Sequence, residues 1–393
     1  VSQVVAITGN EAIAEAMRQI DPDVVGAYPI TPSTQVVENF SQFVADGKVG
    51  TNFVAAESEH SAMSICIGAA AAGGRVMTAT SANGLALMWE MLYIASGSRL
   101  PIVMNCVNRA LSGPLNIHGD HSDAMGARDS GWVQLFSESA QEAYDNTLQA
   151  IRISEAEGIR LPVMVCSDGF ITSHSIDRVV LEEDGPVREF LGEFQPFHPL
   201  LDVDNPVTYG AADLQDYYTE HKRQQAEAMR LVAPVIAEVG REFGRRFGRE
   251  YGFFEGYRLK DAEYAVVVLG SAAGTARVVV DALRAKGVKA GLLKLRVFRP
   301  FPVEEIAEAL GHVAVVGVMD RADSFGASGG AVFHEVRSAL YPLAKRPLVA
   351  DFIYGLGGRD LFPEDIDRVF AQLRLCADAG KVDVPYQYLT VRD

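Results

Sequence analysis

Cysteine is scarce in this chain, and its placement excludes more than its number does. Cys66, Cys106, Cys166 and Cys376 lie far apart in apolar segments and form no Cys-x-x-Cys pair. Zinc and iron–sulfur sites need close sets of ligands, so the chain has no recognisable set of its own. Buried, reduced thiols are expected instead. Basic charge is short too: 35 Lys and Arg against 51 Asp and Glu give a net charge of −16. A nucleic-acid or anionic-membrane partner would need a basic footprint, so neither is expected. No apolar run reaches the roughly 18–20 residues that span a bilayer. The opening Val1-Ser-Gln-Val has no charged leader and no small-residue cleavage site, which predicts a cytoplasmic protein. The dinucleotide fingerprint G-x-G-x-x-G is missing as well, so a Rossmann-type cofactor reading is poor.

What is present is a long alternation of buried strands and helices. The 393 residues are 48% hydrophobic, enough for two or three domains. Apolar runs without polar alternation fall at Val4–Thr8, Val24–Ala27, Phe53–Ala56, Arg75–Thr80, Ile102–Val107 and Pro162–Ser167. Helical patterns separate them at Glu11–Ile20, Glu59–Ala72, Leu85–Ser96 and Ala140–Ala156. That pattern predicts a parallel sheet covered on both faces, an α/β fold. A proline-bearing connection follows, then a charged helical stretch from Asp213 to about Gly248. Met229, Val232, Ile236 and Val239 recur on it at helical spacing, which suggests a packing arm across a domain or subunit surface. Arg241, Arg245, Arg246 and Arg249 read as its solvated face. A second α/β unit begins near Asp261, with strands at Tyr264–Gly270, Lys289–Arg296, His312–Met319 and Pro347–Ile353. The division expected is 1–258, with a helical connecting arm over about 171–258, and 259–393.

The segment Tyr28-Pro29-Ile30-Thr31-Pro32 is the most informative in the chain. Two prolines in five residues cannot continue a helix or a central strand. A rigid loop at the end of a buried strand is where open α/β sheets place ligands. Glu57 and Glu59 follow another strand and open a helix, where a carboxylate suits the helix dipole or a proton relay. Arg109 follows a third strand, where it suits a substrate carboxylate or a salt bridge to Asp120 or Asp123. The Gly- and Asp-rich stretch 110–128 has the length of a functional loop. Its His118 and His121 are weak grounds for a metal. Ser271-Ala-Ala-Gly274-Thr275 could hold an anion at a helix N-terminus or simply cap the helix.

Taken in order, these segments resemble the alpha subunit of the 2-oxoacid:ferredoxin oxidoreductases, most closely the pyruvate:ferredoxin branch. The likeness rests on Tyr28-Pro-Ile-Thr-Pro32, Glu57-Ser-Glu-His-Ser-Ala62, Asn108-Arg-Ala-Leu-Ser-Gly-Pro114 with Gly119-Asp-His-Ser-Asp123, Arg128-Asp-Ser-Gly-Trp132 and Leu295-Arg-Val-Phe-Arg-Pro-Phe-Pro302. It covers essentially the whole chain. The resemblance implies a thiamine diphosphate pyrimidine-binding-type domain followed by a transketolase C-terminal-type domain. It also implies coenzyme A-dependent oxidative decarboxylation of a 2-oxoacid, with electrons passing through iron–sulfur clusters to ferredoxin. Glu59 matches the glutamate that serves the pyrimidine ring, with Glu57 the second choice. Thr31 and Arg109 match the residues that contact the substrate, and Tyr28 and Pro29 would shape the cofactor loop. Asn83 stands where many relatives carry glutamine and receives no role. No Gly-Asp-Gly…Asn motif is present, so a beta subunit is expected to hold the diphosphate and Mg²⁺. Gamma and ferredoxin-like delta subunits, or fusions of these, would carry [4Fe-4S] clusters. A neutral pocket with one arginine suits pyruvate; an acid with a second carboxylate would call for another cation near Thr31.

Overall fold

The computed structural model describes residues 2–392. Its first strands are β1 (Gln3–Thr8), β2 (Val24–Ala27), β3 (Asn52–Ala55), β4 (Val76–Thr80), β5 (Ile102–Asn108), β6 (Val133–Ser137), β7 (Val163–Asp168) and β8 (Ile176–Leu181). The remaining strands are β9 (Phe254–Tyr257), β10 (Tyr264–Leu269), β11 (Ala290–Leu295), β12 (Val297–Arg299), β13 (Val315–Asp320), β14 (Leu348–Ile353) and β15 (Tyr386–Tyr388). A seven-stranded sheet runs β12-β6-β7-β5-β4-β2-β3, and a six-stranded sheet runs β15-β14-β13-β10-β11-β9. Both are parallel except at one edge, where β12 lies antiparallel on β6 and β9 antiparallel on β11. β4, β5, β6 and β7 are buried throughout, as strands covered by helices on both faces must be.

The first apolar run departs from expectation. β1 leaves the parallel sheet and pairs antiparallel with β8, Gln3 opposite Leu181. Its Val4 is 55% exposed, which a two-stranded ribbon allows and a central strand does not. The stretch read as one helix, Leu85–Ser96, is two: Ala82–Leu87 and Trp89–Gly97, separated at Met88.

The charged arm is a helix from Tyr218 to Phe247. Val232, Ile236, Val239 and Phe243 are buried along one face, which packs on the helix Ala140–Ser154 of the first sheet. Gly240 is required where the chain folds back past the end of this helix, because a Cβ there would lie 1.8 Å from the Tyr251 carbonyl oxygen. Arg241 and Arg245 pair with Glu238, and Arg246 with Glu242, as a solvated face should. Arg249 does not belong to that face. It grips the buried Asp145 at 2.7 and 2.9 Å and reaches Glu182 at 2.9 Å.

Residues near 297 tie the two sheets together. β12 crosses from the second half to the edge of the first sheet, with Val297 opposite Leu135. Beside it, the fully buried Arg296 donates to Asn146 at 2.8 Å and Gln149 at 3.1 Å. Among the described residues, no helix is long and apolar enough to cross a membrane.

Candidate active site

The carboxyl ends of β2, β3, β4 and β5 lie side by side in the first sheet, and each ends in one of the segments singled out above. β2 leads into the loop Tyr28–Pro32. Asn10 Nδ2 donates to the Pro32 carbonyl at 2.8 Å, and Ser33 Oγ donates to that of Ile30 at 2.8 Å. The Thr31–Pro32 peptide is cis. Tyr28 is half-buried, while Pro29 and Thr31 are exposed. The Thr31 hydroxyl makes no hydrogen bond among the described residues.

Arg109, at the end of β5, is 6% exposed. Its Nη1 donates to the Thr31 carbonyl at 2.9 Å and its Nε to the Asn116 carbonyl at 2.9 Å. The structure therefore brings Arg109 and the β2 loop together. Neither Asp120 nor Asp123 neutralises the guanidinium. Asp123 takes the Arg109 backbone N–H at 2.9 Å, and Asp120 is engaged by Ser122 and by the backbone of Gly357. The salt-bridge alternative is thereby corrected: the two aspartates serve backbone turns rather than the guanidinium.

Glu59 opens the helix Glu59–Ala71 behind β3, with Ser58 capping it through the Ser61 N–H at 3.2 Å. Glu59 is 6% exposed, and its carboxylate accepts no hydrogen bond among the described residues. Glu57 is different. It is exposed, bonded by the Ser61 hydroxyl, and that bond lowers its carboxyl from the ordinary value. At the end of β4, Gly84 lies against Glu59. A Cβ on Gly84 would stand 2.5 Å from Thr80 Oγ1 and 2.7 Å from Glu59 Oε1. Thr80 Oγ1 and Ser81 Oγ are buried without partners. No hydrogen bond joins Glu59 to Thr31 or Arg109; they share the edge of the sheet.

Sequence reasoning missed what holds these groups in place. Asp123 is a buried clamp: it accepts from Ala82 N at 3.0 Å, Arg109 N at 2.9 Å, Asn108 Nδ2 at 2.9 Å and Ala124 N at 2.7 Å. Burial pushes its carboxyl up to about 6, against the pull of those donors. Asn83, given no role, exchanges two hydrogen bonds with Ser112 at 2.6 and 3.1 Å. His121 meets Asp168 at 2.6 Å; no group of three His, Cys, Asp or Glu is placed to hold a metal among the described residues. The N-terminus of the helix Ala272–Ala285 already has its anion: Ser271 N donates to Asp168 at 2.8 Å. The signal for these partners was present as a density of Asn and Asp in 108–123, but their pairings span up to 241 positions.

A buried carboxylate after β3 and a buried guanidinium after β5, neither paired with an opposite charge among the described residues, lie at the carboxyl edge of one parallel sheet, where open α/β sheets place ligands. Residues 15–241 match the family described as pyruvate flavodoxin/ferredoxin oxidoreductase, thiamine diphosphate-binding, and residues 262–366 match pyruvate:ferredoxin oxidoreductase core domain II. The pyruvate synthase subunit PorA of Thermotoga maritima is 58% identical over 93% of this chain and 93% of its own length. PorA of Methanocaldococcus jannaschii is 46% identical over 96% of each chain. The ketoisovalerate oxidoreductase subunit VorA of Pyrococcus horikoshii is 43% identical over 96% of this chain and 95% of its own. In fold, the chain is similar to the 2-oxoglutarate:ferredoxin oxidoreductase from Magnetococcus marinus, with a TM-score of 0.72 at 22% identity, over 94% of this chain and 65% of that one. An inactive split-gene transketolase chain superposes with a TM-score of 0.53 at 13% identity, over 97% of this chain and 100% of that one. The chain belongs to the pyruvate:ferredoxin oxidoreductase family, as a subunit of a 2-oxoacid:ferredoxin oxidoreductase.

Proposed function

We propose that this chain is the alpha subunit of a coenzyme A-acylating oxidoreductase that converts pyruvate to acetyl-CoA and carbon dioxide, reversibly, and passes the electrons to ferredoxin. Arg109 carries the reading. A buried guanidinium with two carbonyl partners and no carboxylate partner among the described residues is a ready anion site. In this reading Arg109 takes the substrate carboxylate, and the unengaged Thr31 hydroxyl takes an oxygen of the 2-oxo group. Tyr28 and Pro29 wall the site.

Two orphaned groups fit the ring of thiamine diphosphate. Among the described residues the Glu59 carboxylate has no donor and the buried Thr80 hydroxyl no partner, and both lie against Gly84. Glu59 would hold a proton at the pyrimidine N1′, a task for a carboxyl shielded from water. When bound, thiamine diphosphate supplies the carbanion chemistry of decarboxylation.

The division of labour follows from what the chain offers. All four thiols are buried and free, and burial pushes that of Cys66 up to about 12, so they are poor cluster ligands. A beta subunit would hold the diphosphate and Mg²⁺, and gamma and ferredoxin-like delta subunits, or fusions of them, would carry [4Fe-4S] clusters in the cytoplasm. Exposed apolar Leu87, Trp89, Leu115 and Ile117, on the segments that carry the site, suit coverage by such a partner. The chain itself would divide at 258/259 into the two expected units.

The test is anaerobic turnover of the native complex, read as coenzyme A-dependent reduction of a viologen dye. Pyruvate should be turned over in preference to ketoisovalerate, the acid of a 43%-identical relative's name. Glu59→Gln should cut kcat by roughly 10²–10⁴-fold. Arg109→Ala should raise the pyruvate KM while assembly is kept. Full activity in both variants would make the chain a scaffold, and clusters absent from the complex would point to another electron acceptor.

A further inference from the structure

The sequence Gly355-Leu-Gly-Gly358 follows β14 in the second sheet, far from the motifs that identify the family. Gly355, Gly357 and Gly358 all have positive φ, at 63°, 61° and 81°, so this turn suits glycine at each place. It also lacks room for side chains. A Cβ on Gly357 would lie 2.4 Å from Asn116 Nδ2, and one on Gly358 2.3 Å from His118 Cβ. Asn116 and His118 belong to the loop that follows Arg109.

The contact is a two-way bond. Gly357 accepts through its carbonyl from Asn116 Nδ2 at 3.0 Å, and its N–H donates to Asp120 Oδ2 at 3.0 Å. Asn116 Oδ1 in turn accepts from His118 N at 2.6 Å, which fixes the side chain at both ends. The carbonyl of that same Asn116 accepts from Arg109 Nε at 2.9 Å. Asp120 is held by Ser122 N at 2.9 Å and Ser122 Oγ at 2.6 Å. Arg321 Nη1 pairs with Asp168 at 3.0 Å, and its Nε reaches Gly355 at 3.4 Å, tying the turn to the end of β7. A chain of hydrogen bonds thus runs from the second sheet to the guanidinium of the first.

We propose that the glycine turn of the second domain, acting through Asn116 and Asp120, positions Arg109 and so sets the affinity for the 2-oxoacid. This rests on Arg109 binding the substrate carboxylate. The turn itself bonds Asn116, Asp120 and Arg321 and makes no bond to Arg109. Its effect is geometric: a guanidinium held at Nε and Nη1 has one orientation in which to offer its remaining donors.

The experiment compares Asn116→Ala, Asp120→Asn, Gly357→Ala and Arg109→Ala in the assembled complex, alone and with Arg109→Ala as background. Assembly is checked by size-exclusion chromatography with the partner subunits. Asn116→Ala and Gly357→Ala should raise the pyruvate KM on the order of 10- to 100-fold, the scale of a misplacement of about 1 Å. kcat should stay within about threefold, and the coenzyme A KM should not move. In the Arg109→Ala background the same changes should have no further effect, because they act through the missing group. Should Gly357→Ala not assemble, Asn116→Ala and Asp120→Asn carry the test, since each alters only a loop side chain. An unchanged pyruvate KM in the assembled variants, beside a raised KM for Arg109→Ala, would overturn this inference alone. An effect of full size in the Arg109→Ala background would overturn it too. An unchanged KM for Arg109→Ala would overturn the reading of Arg109 and this inference with it.

Discussion

Glu59 and Glu57 are two positions apart and chemically alike, yet their surroundings separate them. Glu57 is solvated and bonded by Ser61, while Glu59 is buried against Gly84 with no donor among the described residues. The sequence marked both, since both open a helix after a strand. Their difference comes from β4, which brings Gly84 over one of them. Gly84→Ala should therefore act on the site. Its Cβ would fall 2.7 Å from Glu59 Oε1. Overpacking of this kind costs about 1–3 kcal/mol. Calorimetric titration of the assembled, cofactor-free complex should show thiamine diphosphate binding weakened by about tenfold or more, equivalent to about 1.4 kcal/mol. Binding at full strength would show that Glu59 does not meet the cofactor here.

Among the elements, the long helix Tyr218–Phe247 was readable from its apolar stripe, but its destination was not. Periodicity says that a face is buried; only the neighbouring helix shows against what. Just beyond its end, Arg249 neutralises Asp145, which is fully buried and also accepts from Tyr251 at 2.6 Å. Burial raises the Asp145 carboxyl, and Arg249 opposes that rise. Arg249→Ala leaves the charge alone in the core, and urea unfolding should register a loss of about 3–5 kcal/mol. A loss under 1 kcal/mol would mean water or another cation takes its place.

A second element contact is set by pH. Asp320 accepts from Val332 N and Phe333 N at 2.9 Å each, and Asp351 accepts from Gly330 N at 2.7 Å, all at the start of the helix Ala331–Leu340. Burial, and then the charge of its neighbour, push Asp351 up to about 8, while burial pushes Asp320 up to about 6. The pair therefore retains a proton near neutrality. A folded-state pKa above the unfolded value means the native state binds more protons. This contribution is complete below about pH 4 and is lost as pH rises through about 8. Asp351→Asn, with an amide in place of the protonated acid, should flatten the melting temperature between those limits; an unchanged slope would assign the proton elsewhere.

At the scale of the whole molecule, one carboxylate joins the two halves. Asp168 at the end of β7 receives His121 at 2.6 Å, Arg321 at 3.0 Å and Ser271 N at 2.8 Å. Burial opposes its ionisation, but the Arg321 guanidinium and His121 outweigh burial and hold it well below the ordinary carboxylate range. Its stabilisation is therefore complete above about pH 4 and is lost as pH falls further. Asp168→Asn removes the carboxylate paired with the buried Arg321, and should lower stability by about 3–5 kcal/mol while flattening the acid limb of the stability profile. An acid limb as steep as in the parent would show that other carboxylates dominate it.

The order of residues was enough for the parallel architecture and the loop after β2, and it marked Glu59 and Arg109, both of which the fold buries. Buried strands are continuous in apolar residues, helices are periodic, and rigid loops are spelled in proline, so each is a local property of the chain. The antiparallel ribbon of β1 and β8, the return of β12 to the first sheet, and the partners of Asp123, Asn116, Arg249 and Asp168 came only with the folded chain. A hydrogen bond between Asn116 and Gly357 is specified by neither residue alone. It exists because two sheets meet, and burial in that contact makes each polar group depend on a partner far away in the sequence.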